Sequence, residues 1–363
     1  MDDDDDWLIS SLERYEQLFM YDLSTPVHLM YLASDKGVWV YGQTLANKRE
    51  LSLLTLPTKI TNKEITGGRD FKISAGAVIP FSINCIQEMS NQQAVLCNAD
   101  KRSLHWWRED ERSPDLLVEI ASSIVPPLPH HKECETARSQ CITHIDYWKS
   151  ESNDQHLLLG SNSPPDDGHV QIYDVVSHSV SWETVLDKTK LHDALYFGSP
   201  HQIVLCSGNY GEILVVDTRE PFSATPTRCS MDAETHDDYA LSCTSNIIGT
   251  LSDAGSLRLY DSRSYEKPFY CCTMPTTFHS SQYLTLTISP YNDRLLGYSG
   301  LHPGIIIYDT TSMPPKAIFT HDGHEKEGAE SVKVHGHIWH QSIPRLLISA
   351  GSDGGLHMWQ YNE

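Results

Sequence analysis

The sequence predicts an all-β fold: a seven-bladed β-propeller with a short N-terminal helix, its ring closed by an N-terminal strand in the last blade. Three observations lead there. A two-strand pattern recurs along the chain, its period is that of a propeller blade, and helix-length periodicity is absent after about residue 22.

The repeat is an apolar run, a small or polar turn with Asp or Gly, and a second apolar run ending in an aromatic residue or Val followed by Asp. Its clearest copies are HLLLGSNSPPDDGHVQIYD (156–174), IVLCSGNYGEILVVD (203–217), IIGTLSDAGSLRLYD (247–261), RLLGYSGLHPGIIIYD (294–309) and RLLISAGSDGGLHMWQ (345–360). Their turn glycines, Gly168, Gly211, Gly255, Gly304 and Gly355, lie 43, 44, 49 and 51 residues apart. Blade repeats run about 40 to 50 residues. Two weaker copies, VHLMYLASDKGVWVYG (27–42) and QAVLCNADKRSLHWWRE (93–109), bring the total to seven. Each unit holds two further strand-like runs; the second reads SINCIQEM, QAVLCNAD, SLHWWRE and DLLVEIAS, the short alternating or continuous apolar runs of antiparallel strands.

The first and last segments complete the ring. SAGSDGGLHMWQY at the C-terminus supplies the second and third strands of blade 7 and leaves no residues for a fourth, so FMYDLS (19–24) is expected to pair there and cover the open edge. Ahead of it, Leu8, Leu12, Tyr15 and Phe19 follow one another at spacings of four, three and four, one face of a helix spanning Trp7 to Phe19. The aspartates before it would complement the helix dipole. Residues 1–18 are therefore expected as an acidic segment with an amphipathic helix, and 19–363 as the propeller. Trp7, Leu8, Leu12, Tyr15 and Phe19 are the candidate partner-binding residues, because a complete ring leaves that apolar stripe to cover a propeller face or a partner's groove.

Composition narrows function. With 48 acidic against 27 basic residues the formal charge is −21, which repels nucleic-acid phosphates and anionic lipid and attracts basic protein surfaces. No apolar run reaches the roughly 18 residues of a membrane span, and MDDDDDWLIS lacks the basic and apolar regions of a secretory signal. Nine scattered cysteines fit small buried thiols in a reducing compartment.

Motifs for chemistry are weak. HGHIWH places His335, His337 and His340 together with His321 and His324 nearby, and alternation in a strand puts His335 and His337 on one face. One strand offers too few convergent ligands for zinc. His130, His131, Cys134, Cys141 and His144 lack the close paired spacing of a zinc signature. No nucleophile elbow and no Lys-bearing phosphate loop occurs, so no catalytic residue, metal or cofactor is assigned. A propeller hydrolase with a channel metal is the rival from another class. Trp106 and Trp107, adjacent in a strand, point to opposite faces and are expected in inter-blade contacts.

The repeats resemble WD-repeat β-propellers, with the signature dipeptide altered to Tyr173-Asp174, Val216-Asp217, Tyr260-Asp261, Tyr308-Asp309 and Trp359-Gln360. That resemblance implies a structural hydrogen-bond set in the last unit: His324, Ser349, Asp353 and Trp359. A narrower resemblance, carried by DDWLISSLERYEQLFMYDLS, DKGVWVYG (35–42) and RDFKIS (69–74), is to one family of WD-repeat adaptors. It implies a non-catalytic, cytoplasmic scaffold that assembles the RNA endonuclease module of the Integrator complex, holding the endonuclease subunits with their assembly factors before nuclear import. It also implies association with spindle poles and the cleavage furrow. Direct microtubule binding is disfavoured, since tubulin is acidic too.

Overall fold

Alternating or continuous apolar runs of four to nine residues, separated by Gly, Asp, Asn and Ser turns, fold here as antiparallel strands stacked into seven sheets. The computed structural model describes residues 13–362 apart from 24, 34–36, 45, 58–70, 90–91, 127–140, 150–154, 164–166, 221–237, 278–282, 313 and 325–331.

Blade 1 runs outward from Val27–Ala33 through Gly37–Gln43 and Arg49–Thr55 to Lys72–Val78. Blade 2 is Ile83–Met89, Gln93–Asn98, Ser103–Glu109 and Leu117–Ile124, the four runs read from the sequence. Blade 3 starts at Ile142–Lys149 and blade 4 at Leu191–Phe197, the latter with three strands among the described residues. Blades 5 and 6 start at Tyr239–Cys243 and Thr285–Ile288. In blade 7, Val334–Trp339, Leu346–Gly351 and Gly355–Tyr361 are followed outward by Tyr15–Asp22 from the other end of the chain.

The ring is thus closed by an N-terminal strand, with register from Tyr15↔Tyr361 to Asp22↔Gly355. The same strand corrects the expected helix. Tyr15 and Phe19 lie in extended backbone, and among the described residues there is no helix at their position. The helical spacing yields because the otherwise open edge of Gly355–Tyr361 offers backbone partners that a helix could not use. Trp7, Leu8 and Leu12 lie outside the described residues.

Core packing is divided by gap. One cluster lies between each pair of neighbouring blades, such as Trp39, Ile86 and Trp107 between blades 1 and 2, and Trp106, Ile142 and Tyr173 between blades 2 and 3. Trp106 and Trp107 are both buried, on opposite faces of their strand. The gap between blades 7 and 1 is filled from both ends of the chain, with Leu356 and Met358 against Val38, Leu54, Phe19 and Tyr21.

Bulges shape both edges of the sheets. Five inner strands skip one residue after their first, at His28, Asn84, Thr143, His192 and His335. Five outer strands skip one at Ser74, Ile120, Ser181, Ile318 and Glu16, which bends the edges facing solvent and blunts strand-to-strand association. Along the channel, side chains cap the next blade's inner strand. Asn84 donates to the Ile142 carbonyl at 3.1 Å, Asp146 accepts the Tyr196 amide at 2.7 Å, Ser242 accepts the Ile288 amide at 3.1 Å, and His335 bonds the Val27 carbonyl.

Gly354 is where the chain ends meet. It has φ of +89°, its carbonyl accepts the Leu23 amide at 2.8 Å, and a Cβ there would collide with the Leu23 carbonyl. A chain lacking residues 1–22 is expected to melt on the order of 10 °C or more below the full chain, since it loses a strand and several buried side chains. Thermal unfolding followed by circular dichroism checks this; an unchanged midpoint would refute the closure.

Candidate functional site: the clasp of blade 7

Tyr15 begins the closing strand and is 5% exposed, its ring edge-on to Phe319, His321 and Trp359. Its hydroxyl lies 2.7 Å from His321 Nδ1, and His321 Nε2 lies 3.1 Å from His357 Nδ1. Two neutral imidazoles satisfy this chain, each donating through one ring nitrogen and accepting through the other. Burial, together with the neighbouring His324 and His357, holds His321 well below the ordinary imidazole range. Burial likewise raises the Tyr15 hydroxyl.

Arg14 extends the clasp to blade 6. Its guanidinium pairs with Asp322 at 3.0 Å, bonds the Thr320 carbonyl, and stands 5.3 Å over the Phe319 ring. At the other terminus Asn362 donates to the Glu13 carbonyl at 2.8 Å, and its amide reaches the Arg14 carbonyl at 3.1 Å. Both ends of the chain are therefore bonded to each other and to the preceding blade.

Beneath the clasp, His324 Nε2 lies 2.9 Å from Ser349 Oγ, which also accepts the Trp359 indole N–H at 3.1 Å. Asp353 accepts the Gly355 amide at 3.0 Å in the turn between the two strands. All but Asp353 are essentially shut off from solvent. Ser349 thus joins His324 and Trp359, Asp353 bonds the turn beside them, and His321, His357 and Tyr15 continue the same buried cluster. The sequence reading named Tyr15 and His321 in other roles and passed over His357; the Tyr15–His321 bond spans 306 residues and starts on a strand read as helix.

Among the described residues, His321, His324 and His357 are the one group of three possible metal ligands, their nitrogens within 4.8 Å of one another. The His324 and His357 rings are parallel, 3.8 Å apart at 6°. Imidazole lone pairs lie in the ring plane, so these two point side by side and do not converge as a tetrahedral zinc requires. The cluster is built for stacking and hydrogen bonding. His335 and His337, expected on one face, are separated by the bulge at His335. His335 stacks on Tyr283 at 3.7 Å and bonds blade 1, whereas His337 turns to Thr287 and Ser299 of blade 6 at 2.7 and 3.0 Å. His340 caps the next turn, accepting the amides of Ser342 and Ile343. Of the upstream group, Cys141 is buried, His144 lies 3.5 Å from Asp193, and His130, His131 and Cys134 fall outside the described residues.

Beside the clasp a groove of about 260 Å³ opens toward blade 1, lined by Tyr21, Leu23, Val40, Glu50 and Ile73 among others. Phe19 packs into the same inter-blade gap. Of the candidate partner-binding residues, Tyr15 is committed to the core and Phe19 is half-buried there.

No protein-family model matches the chain. It is similar, nearly end to end, to proteins named Integrator complex assembly factor WDR73. The zebrafish (Danio rerio) protein is 25% identical over 383 residues, covering 99% of this chain and 97% of the relative. The human protein is 25% identical over 388 residues, covering 99% and 98%, and the mouse protein 25% identical over 380, covering 98% and 97%. The resemblance carried by the first 74 residues thus extends over nearly the whole chain.

Two outcomes are expected of the clasp. Tyr15→Phe leaves His321 without its hydroxyl partner and should cost about 1 to 2 kcal/mol, against about 3 to 5 for Tyr15→Ala, measured by urea unfolding. The second concerns pH. His335 and His337 are held at about 4 by burial, with His321 shifted the same way. The unfolded chain takes up these protons near 6.5 and the folded chain only near 4. Stability is therefore whole at pH 7 and falls from pH 6.5 toward 4, by up to about 3 kcal/mol for the fully buried His337. Asp146, raised to about 6 by burial, has the opposite sign and offsets part of the loss between pH 6 and 4. Urea midpoints at pH 7, 6, 5 and 4 read the sum.

Proposed function

We propose that this chain is a non-catalytic scaffold that assists assembly of the Integrator complex. The observation that carries the reading is the end-to-end similarity to the WDR73 assembly factors, covering 97% or more of each. An assembly factor must hold a partner without consuming it, and a closed ring with rigid blades and variable loops suits that task. The strong negative charge favours basic protein surfaces and disfavours direct RNA contact.

The finer reading is that the partners are the complex's endonuclease subunits, stabilised in the cytoplasm before import. The groove beside the clasp and the loops around it are the surface first in line, since Tyr21 and the half-exposed Ile73 line it. In cells of the source organism, affinity purification of the tagged full chain should recover the endonuclease subunits from the cytoplasmic fraction, and depletion should lower their abundance severalfold. Recovery of neither subunit from cells in which the tagged protein is folded would overturn the proposal.

A further inference from the structure

Seven of the cysteines fall among the described residues, all as free thiols. Their places in the strand ladders differ. Cys206 faces Asp193 and Ile213, Cys243 faces Ile248, Cys271 faces Arg258 and Cys272 faces Leu257. Cys85, on the inner strand of blade 2, stands directly opposite Cys97 on the second strand. Opposed residues of an antiparallel pair point to one face with Cα atoms about 4.5 to 5.5 Å apart, inside the roughly 4.4 to 6.8 Å that a disulfide spans. Both side chains enter the gap between blades 2 and 3, and the two thiols are in hydrogen-bond contact.

The two thiols differ in access. Cys97 is fully buried, whereas Cys85 is half-buried, its Sγ 3.8 Å from the Ile142 carbonyl of blade 3. Burial and the neighbouring Cys85 raise the Cys97 thiol well above its ordinary range, and the Arg102 guanidinium opposes them. Arg102 reaches across this gap to Ser161 Oγ of blade 3 at 2.9 Å and to the Gln171 side chain. An oxidant therefore meets Cys85 first, and Cys97 lies in place to resolve the product.

We propose that Cys85 and Cys97 are a redox modification site, closing to a reversible cross-strand disulfide when hydrogen peroxide reaches blade 2. In the first step the Cys85 thiol and hydrogen peroxide give the Cys85 sulfenic acid and water, the sulfur giving up two electrons as the O–O bond breaks. In the second the Cys97 sulfur attacks the Cys85 sulfur, the S–S bond forms as the S–O bond breaks, and the hydroxyl leaves as water with the Cys97 proton. Disulfides of reducing compartments are mostly transient and redox-sensing. This one braces the inner strand of blade 2 beside Asn84, which holds the Ile142 carbonyl of the next blade. The exposed Cys271 has no cysteine opposite it, and its neighbour Cys272 points to the other face of the strand, so that pair does not close in the same way. The inference is independent of the Integrator reading.

The test uses the reduced full-length protein, treated with hydrogen peroxide until the exposed Cys271 is oxidised, blocked with N-ethylmaleimide in denaturant, and cut with a Glu-specific protease, which cleaves after Glu88 between the two cysteines. Mass spectrometry without reductant should find the Cys85 and Cys97 fragments joined, about 2 Da lighter than their sum, and dithiothreitol should part them. In Cys97→Ser, dimedone present during oxidation should label Cys85, whose sulfenic acid has lost its resolving thiol. In Cys85→Ser, Cys97 should stay reduced and take up maleimide; this variant alters a half-buried side chain and serves should Cys97→Ser fail to fold. Recovery of both cysteines as maleimide adducts, a link from either to Cys141, which is buried beside the same guanidinium, or oxidation of Cys97 in Cys85→Ser would overturn the proposal.

Discussion

The pairing of Tyr15–Asp22 with Gly355–Tyr361 is the constraint on which the ring depends. Each blade of a propeller can bury its faces only against two neighbours, so a ring is stable when every gap is filled and no sheet edge is left for a foreign strand. Here the seventh sheet is completed by the other end of the chain, and the gap between blades 7 and 1 is packed by residues more than 300 positions apart. Arg14 and Tyr15 then tie the closing strand to blade 6 through Asp322 and His321, so three blades share one joint.

The polar interior follows from the same geometry. Inner strands line the channel and are not covered there by another sheet, so their backbone groups need partners. Asn84, Asp146, Ser242 and His335 provide them, each from the blade before. Under the clasp His321 and His324 do comparable work for Tyr15 and Ser349, Ser349 in turn accepts from Trp359, and burial keeps His321 neutral. Stacked histidines in a propeller blade are thus a device for satisfying buried donors, and their closeness alone is poor evidence for a metal.

Legibility differed by element. The five strong repeats and the four runs of blade 2 were readable because each strand's apolar pattern is local and its turns carry Gly, Asp or Asn. The order of strands in blade 7 was readable from a deficit, two strands at the end of the chain and spare residues at its start. Tyr15 and Phe19 misled because spacings of four, three and four suit a helix and say nothing of the open edge waiting in the folded ring. His335 and His337 misled for a related reason: one bulge residue turns a side chain to the other face, and bulges leave little trace in sequence.

By itself the sequence determined the class of fold, the number of blades, the net charge of −21 and the turn chemistry of each repeat, all read without knowledge of long-range contacts. Only the tertiary structure decided that Tyr15–Asp22 is strand, that Tyr15 shares a hydrogen bond with His321, and that Glu88, Tyr31 and Trp339 gather at one end of the channel. Those outcomes depend on which unpaired edge and which buried donor lie opposite in space once the ring has closed.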